Sequence, residues 1–413
     1  MKKMKMILFI LLAGLWACED PEPITPIPPT EKEEAFELVW ATRMDFEKEI
    51  VNLNNGLIYK DWYIYSGDLA FPPTLMAFNL KTGEKDWEYI HTGVIDEEID
   101  YGKVVNNIYM GRCNKGILGI DLDTRQGIWE IDFTSKNFSP DGRGIVHDGF
   151  VYQNIVWALG TVQQTLHLMK IDPHSGDYEF VLSYGSGNFR GISPPAFWKD
   201  PQSGQDLMIL NEYPDPGKPP EQSSQNIRAI DLATKETVWE KVGFTEFFAS
   251  YGGHPPIIYN DIVITGGDWS IYAFDVRTGE QLWRYQLPGY SHGGGFWTST
   301  NHLLVGDKLY LNPLSEEVLC LNPETGQLIW NNPKGGANCT DNMVYYEKED
   351  LLVFTSWGYG SVMVLDALTG KTLHKEHRYD DSSYNNDVVY DPETDMFFTS
   401  TYKHAVGFRV QRP

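Results

Sequence analysis

Short apolar runs recur along the chain, and each is closed by an Asp or Asn. Leu75-Met76-Ala77-Phe78 runs into Asn79, Ile227-Arg228-Ala229-Ile230 into Asp231, Ile271-Tyr272-Ala273-Phe274 into Asp275, and Val362-Met363-Val364-Leu365 into Asp366. Two residues, a Thr or Ser, usually a Gly, and an aromatic eight positions after the Asx complete the pattern. The copies begin at Asn79, Asp121, Asp172, Asp231, Asp275, Asn322 and Asp366. Their Thr/Ser position is filled by Thr82, Thr124, Ser175, Thr234, Thr278, Thr325 and Thr369. Their aromatic position holds Trp87, Trp129, Phe180, Trp239, Trp283, Trp330 and, as the exception, His374. Each copy predicts strand, tight turn, strand. The Asx side chain can accept from turn N–H groups, and Gly takes a positive φ at low cost. Arg125 and Lys235 replace that Gly in two copies, so there the turn must change geometry or hold strain. The ring, carried by the second strand, is expected to pack on the next unit.

Two further strands with a tight polar turn precede each copy, as in Pro256-Ile257-Ile258-Tyr259 with Ile262-Val263-Ile264. Four antiparallel strands per unit, at spacings of 42 to 59 residues, imply a radial repeat. The ends set the number of units. Ala405-Val406-Gly407-Phe408 matches the strand before an anchor but has no outer strand after it, whereas Phe36-Glu37-Leu38-Val39-Trp40 is an orphan strand carrying the missing Trp. The expectation is an all-β, eight-bladed β-propeller of four-stranded antiparallel blades. Its last blade is closed by the N-terminal strand, leaving no sheet edge open. Trp40, Trp87, Trp129, Phe180, Trp239, Trp283 and Trp330 are its structural blade anchors.

Charge and the N-terminus add a setting. The 413 residues carry a formal charge of −24, which repels phosphate backbones and anionic lipid heads and argues against nucleic acid as a partner. Lys2, Lys3 and Lys5 precede an apolar stretch from Met6 to Leu15, too short to span a bilayer and readable as an export signal. Leu15-Trp16-Ala17-Cys18 resembles the bacterial lipobox, which implies cleavage before Cys18 and lipidation of its thiol. Residues 1–17 are thus expected to be a lipoprotein signal peptide, 18–34 a Pro/Glu-rich tether reaching about 50 Å if extended, and 35–413 the propeller. The acidic residues after Cys18 resemble surface-export signals of Bacteroidetes lipoproteins. An outer-membrane lipoprotein, periplasmic or surface-facing, follows, with a monomeric body held to the membrane by lipid alone. Cys113, Cys320 and Cys339 can form at most one internal disulfide, and no Cys/His cluster has metal-ligand spacing.

Ala273-Phe274-Asp275-Val276-Arg277-Thr278-Gly279-Glu280-Gln281-Leu282-Trp283 and its copies resemble the pyrroloquinoline-quinone (PQQ) repeat over roughly residues 36–410. That family includes quinoprotein dehydrogenases and cofactor-free propellers, among the latter the lipoprotein subunit of the outer-membrane β-barrel assembly machinery. The enzymes hold PQQ and calcium through Glu, Asn and Asp, with a catalytic Asp and often adjacent cysteines. This chain has no adjacent cysteines, and Asp341 and Asp387 form no convincing calcium-ligand cluster. Hence no catalytic residue, no cofactor and no metal are assigned.

Strand order puts the A–B and C–D turns on one face and the irregular D–A and B–C segments on the other. Longer B–C segments are expected at Ser66 to Pro73, Val156 to Thr165 and Pro214 to Gln225. The D–A segments should rim the central channel, and they bring Arg190, His254, His292, Trp297, Asn338, Asp341, Asn385 and Asn386 to its mouth as candidate ligand-binding residues. Trp198, Trp269, Trp297 and Trp357 lie outside the repeat and could supply an aromatic platform for a sugar. The resulting expectation is a non-catalytic envelope scaffold that binds a protein partner through the loop-rich face. The alternatives are a surface glycan- or small-ligand-binding module and, behind it, a PQQ-dependent dehydrogenase.

Overall fold

The computed structural model describes residues 35–44, 56–66, 74–93, 99–113, 116–132, 147–153, 155–162, 165–184, 189–214, 224–245, 255–267, 269–288, 302–313, 316–336, 343–356, 359–377, 382–384 and 386–413. These residues form eight antiparallel sheets and no helix. Blade one takes Leu57–Tyr59, Trp62–Ser66, Thr74–Asn79 and Lys85–Ile90 as strands A to D. Its successors repeat that order. Blade eight is the split one: Phe36–Arg43 pairs with His404–Val410, from Phe36↔Val410 to Arg43↔His404, and supplies its outer strand. The fold is an eight-bladed β-propeller closed by its N-terminal strand.

Two expectations change. Closing the ring does not remove sheet edges, because strand D of every blade is an end strand of its sheet. In blade three there is no long B–C loop; Ile155–Val162 and Thr165–Ile171 stay paired up to Val162↔Thr165. Blade four also departs from the scheme, since its A position is filled by two pieces, Phe189–Ile192 and Ala196–Lys199, both paired with Asp206–Pro214.

No single core exists. The buried apolar side chains of the described residues sort into eight clusters, each made by two successive blades. Burying each Leu, Ile or Phe there stabilises its seam by ~1.5–3 kcal/mol.

The repeat motif builds these seams in two steps. Locally, the Asx oxygen accepts from two turn amides in all seven copies, as Asn79 does from Lys81 and Thr82 at 3.0 and 3.1 Å. Across the seam, the Trp of one blade lies on the turn of the next. Trp40, Trp129, Trp239, Trp283 and Trp330 donate their indole N–H to the carbonyls of Leu80, Pro173, Val276, Pro323 and Ala367 at 2.8–3.1 Å. A Cβ added to Gly83, Gly176, Gly279, Gly326 or Gly370 would stand 2.3–2.7 Å from those same rings.

The motif's irregularities now have a reason. Arg125 and Lys235 keep the left-handed turn, with φ of 61° and 62°; the geometry does not change. Glycine is therefore required less by φ than by the indole over it. Where Gly is missing, the ring before it is bound differently. Trp87 has a buried indole N–H with no bond among the described residues, and the Arg125 guanidinium lies 5.7 Å from its ring. Phe180, with no N–H to place, is 38% exposed and stacks on His167 at 4.1 Å. His374 precedes blade eight, whose C–D turn is replaced by the two ends of the propeller. It stacks on Phe36 at 5.6 Å, with Nε2 3.0 Å from the Glu376 carboxylate.

Candidate functional site

The turn face is built from local bonds and then tied together between blades. Each A–B turn also carries a left-handed residue: Lys60, Asn106, Gln153, Gly204, Asn260, Gly306, Asp350 and Asp395, with φ between 52° and 77°. Two of these turns, Asp200-to-Gly204 and Asp391-to-Asp395, repeat the Asx–Ser/Thr bonding of the C–D motif without its Trp. The sequence reading passed over them because it keyed on the ring. A–B turns then reach C–D turns of the following blade. Lys60 and Tyr59 both bond Asp123, Asn106 meets His174 at 3.4 Å, and Arg277 spans Asp200 at 3.4 Å and Asp261 at 2.7 Å. Arg412, from the C-terminal tail, holds the Asp366 carboxylate and the Glu349 carbonyl.

These bonds hold carboxyls below their usual range. Asp172 is lowered by the backbone amides of Ser175 and His174, and Asp231 by Gln205 and the Thr234 amide. Burial pushes Asp366 up, but Arg412 and Thr369 outweigh it and its net shift is downward. A carboxyl depressed in the fold stabilises it above the unfolded pKa and loses that contribution as pH falls through the folded value. Stability is therefore expected to decline below about pH 4. Asn79 and Asn322 show that Asn serves the same turn, so Asp172→Asn with Asp231→Asn should flatten the acid limb of a urea-midpoint-against-pH curve while leaving the plateau near neutral pH.

Of the eight candidate binding residues, Arg190 and Asn386 are among the described residues. Arg190 lies in strand Phe189–Ile192, beside the register shift between Phe189 and Gly191. His254, His292, Trp297, Asn338, Asp341 and Asn385 fall outside the described residues, as does Cys18. Asn386 is described and is 1% exposed. Its Nδ2 donates to Tyr65 at 3.3 Å and to Ser400, and its carbonyl accepts from Thr355 and Thr399 at 2.8 and 3.0 Å. Asn386 thus joins blades seven, eight and one, and only its Oδ1 is left unbonded among the described residues. Of the extra tryptophans, Trp198 is 7% exposed beneath the Arg277 guanidinium at 4.8 Å, and Trp269 packs into the seam between blades five and six. Neither is an open platform. Trp297 and Trp357 lie outside the described residues.

What sequence reasoning missed is a polar belt set by register. Ser66, Asn211, Thr355 and Ser400 pair with Leu75, Ile227, Val362 and Ala405, and each of those partners lies four residues before its blade's anchor position. Asn312, just after strand Lys308–Leu311, continues the belt. All five are almost wholly buried. Asn211 gives Nδ2 to Thr265 at 2.8 Å and its backbone N–H to Ser193 at 2.9 Å, leaving Oδ1 unbonded. Among the described residues, neither side-chain polar atom of Asn312 or of buried Gln225 has a partner. Unmet buried polar groups cost about 1–3 kcal/mol each, so the belt offers amide donors and acceptors at a measurable cost to the fold. No sequence signal marks it, because the residue type changes from blade to blade.

The comparisons place this architecture. A family model described as outer membrane protein assembly factor BamB matches residues 222–401, which are the outer two strands of blade four, blades five to seven and the inner two strands of blade eight. The repeats are of the PQQ-like type. Among solved structures, BamB from Moraxella catarrhalis aligns with a TM-score of 0.56 at 12% identity, covering 91% of this chain and 99% of that one. A europium-containing methanol dehydrogenase aligns at 0.65 and 11% identity, covering 91% and 93%, and the computationally designed Ika8 protein at 0.62 and 13%, covering 91% and 99%. An assembly factor, an oxidoreductase and a designed protein share this ring, so such likenesses establish the fold alone. A quinoprotein ethanol dehydrogenase of Pseudomonas putida is 33% identical over 88 residues, which is 20% of this PQQ-like chain and 14% of that enzyme.

A quinone with calcium can be tested against the donors present. The belt supplies hydroxyls and carboxamides, and no group of three or more His, Cys, Asp or Glu able to hold a metal occurs among the described residues. Asp387 is 3% exposed and, through charge, helps burial push Tyr63 upward. The described residues by themselves assemble no calcium–quinone donor set, and no catalytic step is derived through one.

Proposed function

We propose that this protein is a lipid-anchored propeller of the cell envelope, a non-catalytic scaffold that binds protein partners. The observation that carries the reading is the match of residues 222–401 to the assembly-factor family. The use of the repeat supports it. Its Asx, Gly and Trp residues are taken up by turns and seams, and blade-to-blade bonds tie the turn face into one base. A base of that kind suits a protein that presents irregular loops on its other face. Lipidation at Cys18 and an acidic tether would hold the body near an outer membrane.

Two measurements test this. Cys18→Ser should move the protein from the membrane to the soluble fraction, and persistence in the membrane would remove the anchor from the proposal. Reconstitution with PQQ and calcium should give no dye-linked alcohol oxidation; saturable oxidation would replace the scaffold by an enzyme. A second reading, binding of a glycan or other small polar ligand at the channel mouth, is favoured by the amide oxygens of Asn211 and Asn386 and the whole Asn312 carboxamide, which have no hydrogen-bond partner among the described residues. A glycan array whose signal is lost in Asn312→Leu would favour it.

A further inference from the structure

Each Trp of the repeat follows a one-residue bulge and pairs across its hairpin with a small residue: Ala77, Gly119, Ala229, Ala273, Cys320 or Gly407. Cross-strand partners share one face of a sheet, so the small residue and the indole stand together against the next blade. Blade three breaks this arrangement. Its register shift lies between Leu168 and Met169, so Phe180 pairs with Met169, and Glu179 pairs with Lys170. One step of register turns a side chain to the other face. Met169 packs in the cluster shared with blade two, and Leu168 in the one shared with blade four. Phe180 therefore faces back to blade two, and Lys170 and Glu179 face blade four. The seam between blades three and four has no indole. Lys170 stands where other blades have a small residue, Glu179 where they have the ring, and Lys235 where five of them have Gly. The Lys170 ammonium is 2.7 Å from the Glu179 carboxylate, with side chains 38% and 52% exposed. The Lys170 hydrogen bond, and more weakly the charge of Lys235, hold the Glu179 carboxyl below its usual range.

We propose that this seam is a hinged gate in the ring, which pivots at its inner end and parts at its outer end while both blades stay folded. The inner end is closed: Tyr152 of blade three stacks on Phe197 of blade four at 4.2 Å and donates to Asp206 at 2.9 Å. The outer end is held by charges in water, which separate at far less cost than a seated indole leaves its slot. Three positions on two blades have changed together, and the hairpin register has changed with them. The two other seams without an indole bond still close over a buried ring, Trp87 or His374. Parting the outer end uncovers Leu168 and Met208, which are wholly buried when the gate is shut. The gate does not depend on the scaffold reading.

The test labels introduced thiols in the full chain with N-ethylmaleimide and reads each site by mass spectrometry of its own peptide. Leu168→Cys reports this seam. Ile271→Cys, at the same place in strand C of blade five, reports the seam that Trp283 closes. Leu168→Cys should label about ten-fold faster or more. Glu179→Gln, which removes the charge that Lys170 and Lys235 share, should speed Leu168→Cys by about three-fold further and leave Ile271→Cys unchanged. Met208→Cys against Leu309→Cys, matched positions of strand B in blades four and six, repeats the comparison if a first variant does not fold. Equal rates at the two seams, as unfolding of the whole ring would give, would overturn the gate. So would a rate at Leu168→Cys that Glu179→Gln leaves unmoved.

Discussion

Trp40→Ala is expected to lower the stability of the propeller by about 3–5 kcal/mol, the range for deleting a large buried aromatic. Trp40 is 8% exposed, donates to the Leu80 carbonyl at 2.9 Å, lies 5.8 Å from Phe398 and covers Gly83. Its position adds a second effect. It sits on the strand that closes the ring, so the seam it fills joins the N-terminal strand to blade one. The loss should appear as a lower urea midpoint, with a higher unfolding rate if that seam opens first. Trp40→Phe keeps most of the burial and loses the indole bond, worth about 0.5–1.5 kcal/mol, and should fall between. Trp87→Phe makes the comparison sharp, since Trp87 makes no indole bond among the described residues. A midpoint unchanged in Trp40→Ala would mean that the closing strand is not part of the cooperative unit.

Gly370→Ala should cost about 2–4 kcal/mol. The added Cβ would lie 2.3 Å from the Trp330 ring, and the backbone φ of 73° is unfavourable for alanine by about 1–2 kcal/mol; overpacking adds ~1–3 kcal/mol. The reverse exchange at the equivalent position of blade four, Lys235→Gly, should shift stability by less than ~1 kcal/mol. Its φ of 62° is relieved, and the ring before it is the exposed Phe180. Thermal or urea denaturation of the two variants separates the sources of glycine's requirement. Equal and opposite effects would mean that φ alone decides; a large loss at Gly370 beside a small change at Lys235 would mean that room for the indole decides.

Those two positions also show what could be read from the sequence. The turn is local: Asx, Thr and the bonded amides lie within six residues, so it shows as a repeated string, and with it come the blade count and the split closure. The link between a Gly and the Trp above it spans 40 to 47 residues, as from Trp283 to Gly326 or Trp330 to Gly370, and becomes legible only when blades are set side by side. Arg125 and Lys235 therefore looked like faults in the turn, although they answer to a different ring. Blade three misled for the opposite reason. Its polar Thr161 to Thr165 stretch has loop composition, and cross-strand pairing still carries it. The belt of Ser66, Asn211, Asn312, Thr355 and Ser400 is defined by register alone, with no common residue to find.

The closing strand has a mechanical meaning as well. Phe36 pairs with Val410, and the amide of Gln411 donates to the Ala35 carbonyl, so the chain enters this strand on the face where Arg412 grips Asp366 and Glu349. A pull transmitted from residues before Ala35 and directed away from that face runs along the strand axis. It loads the rungs between Phe36 and Arg43 together, in shear, whereas a sideways pull would unzip them one at a time. Held from below through its own clasp, the ring would tighten its strongest direction against the load; dragged laterally, it would open at blade eight first.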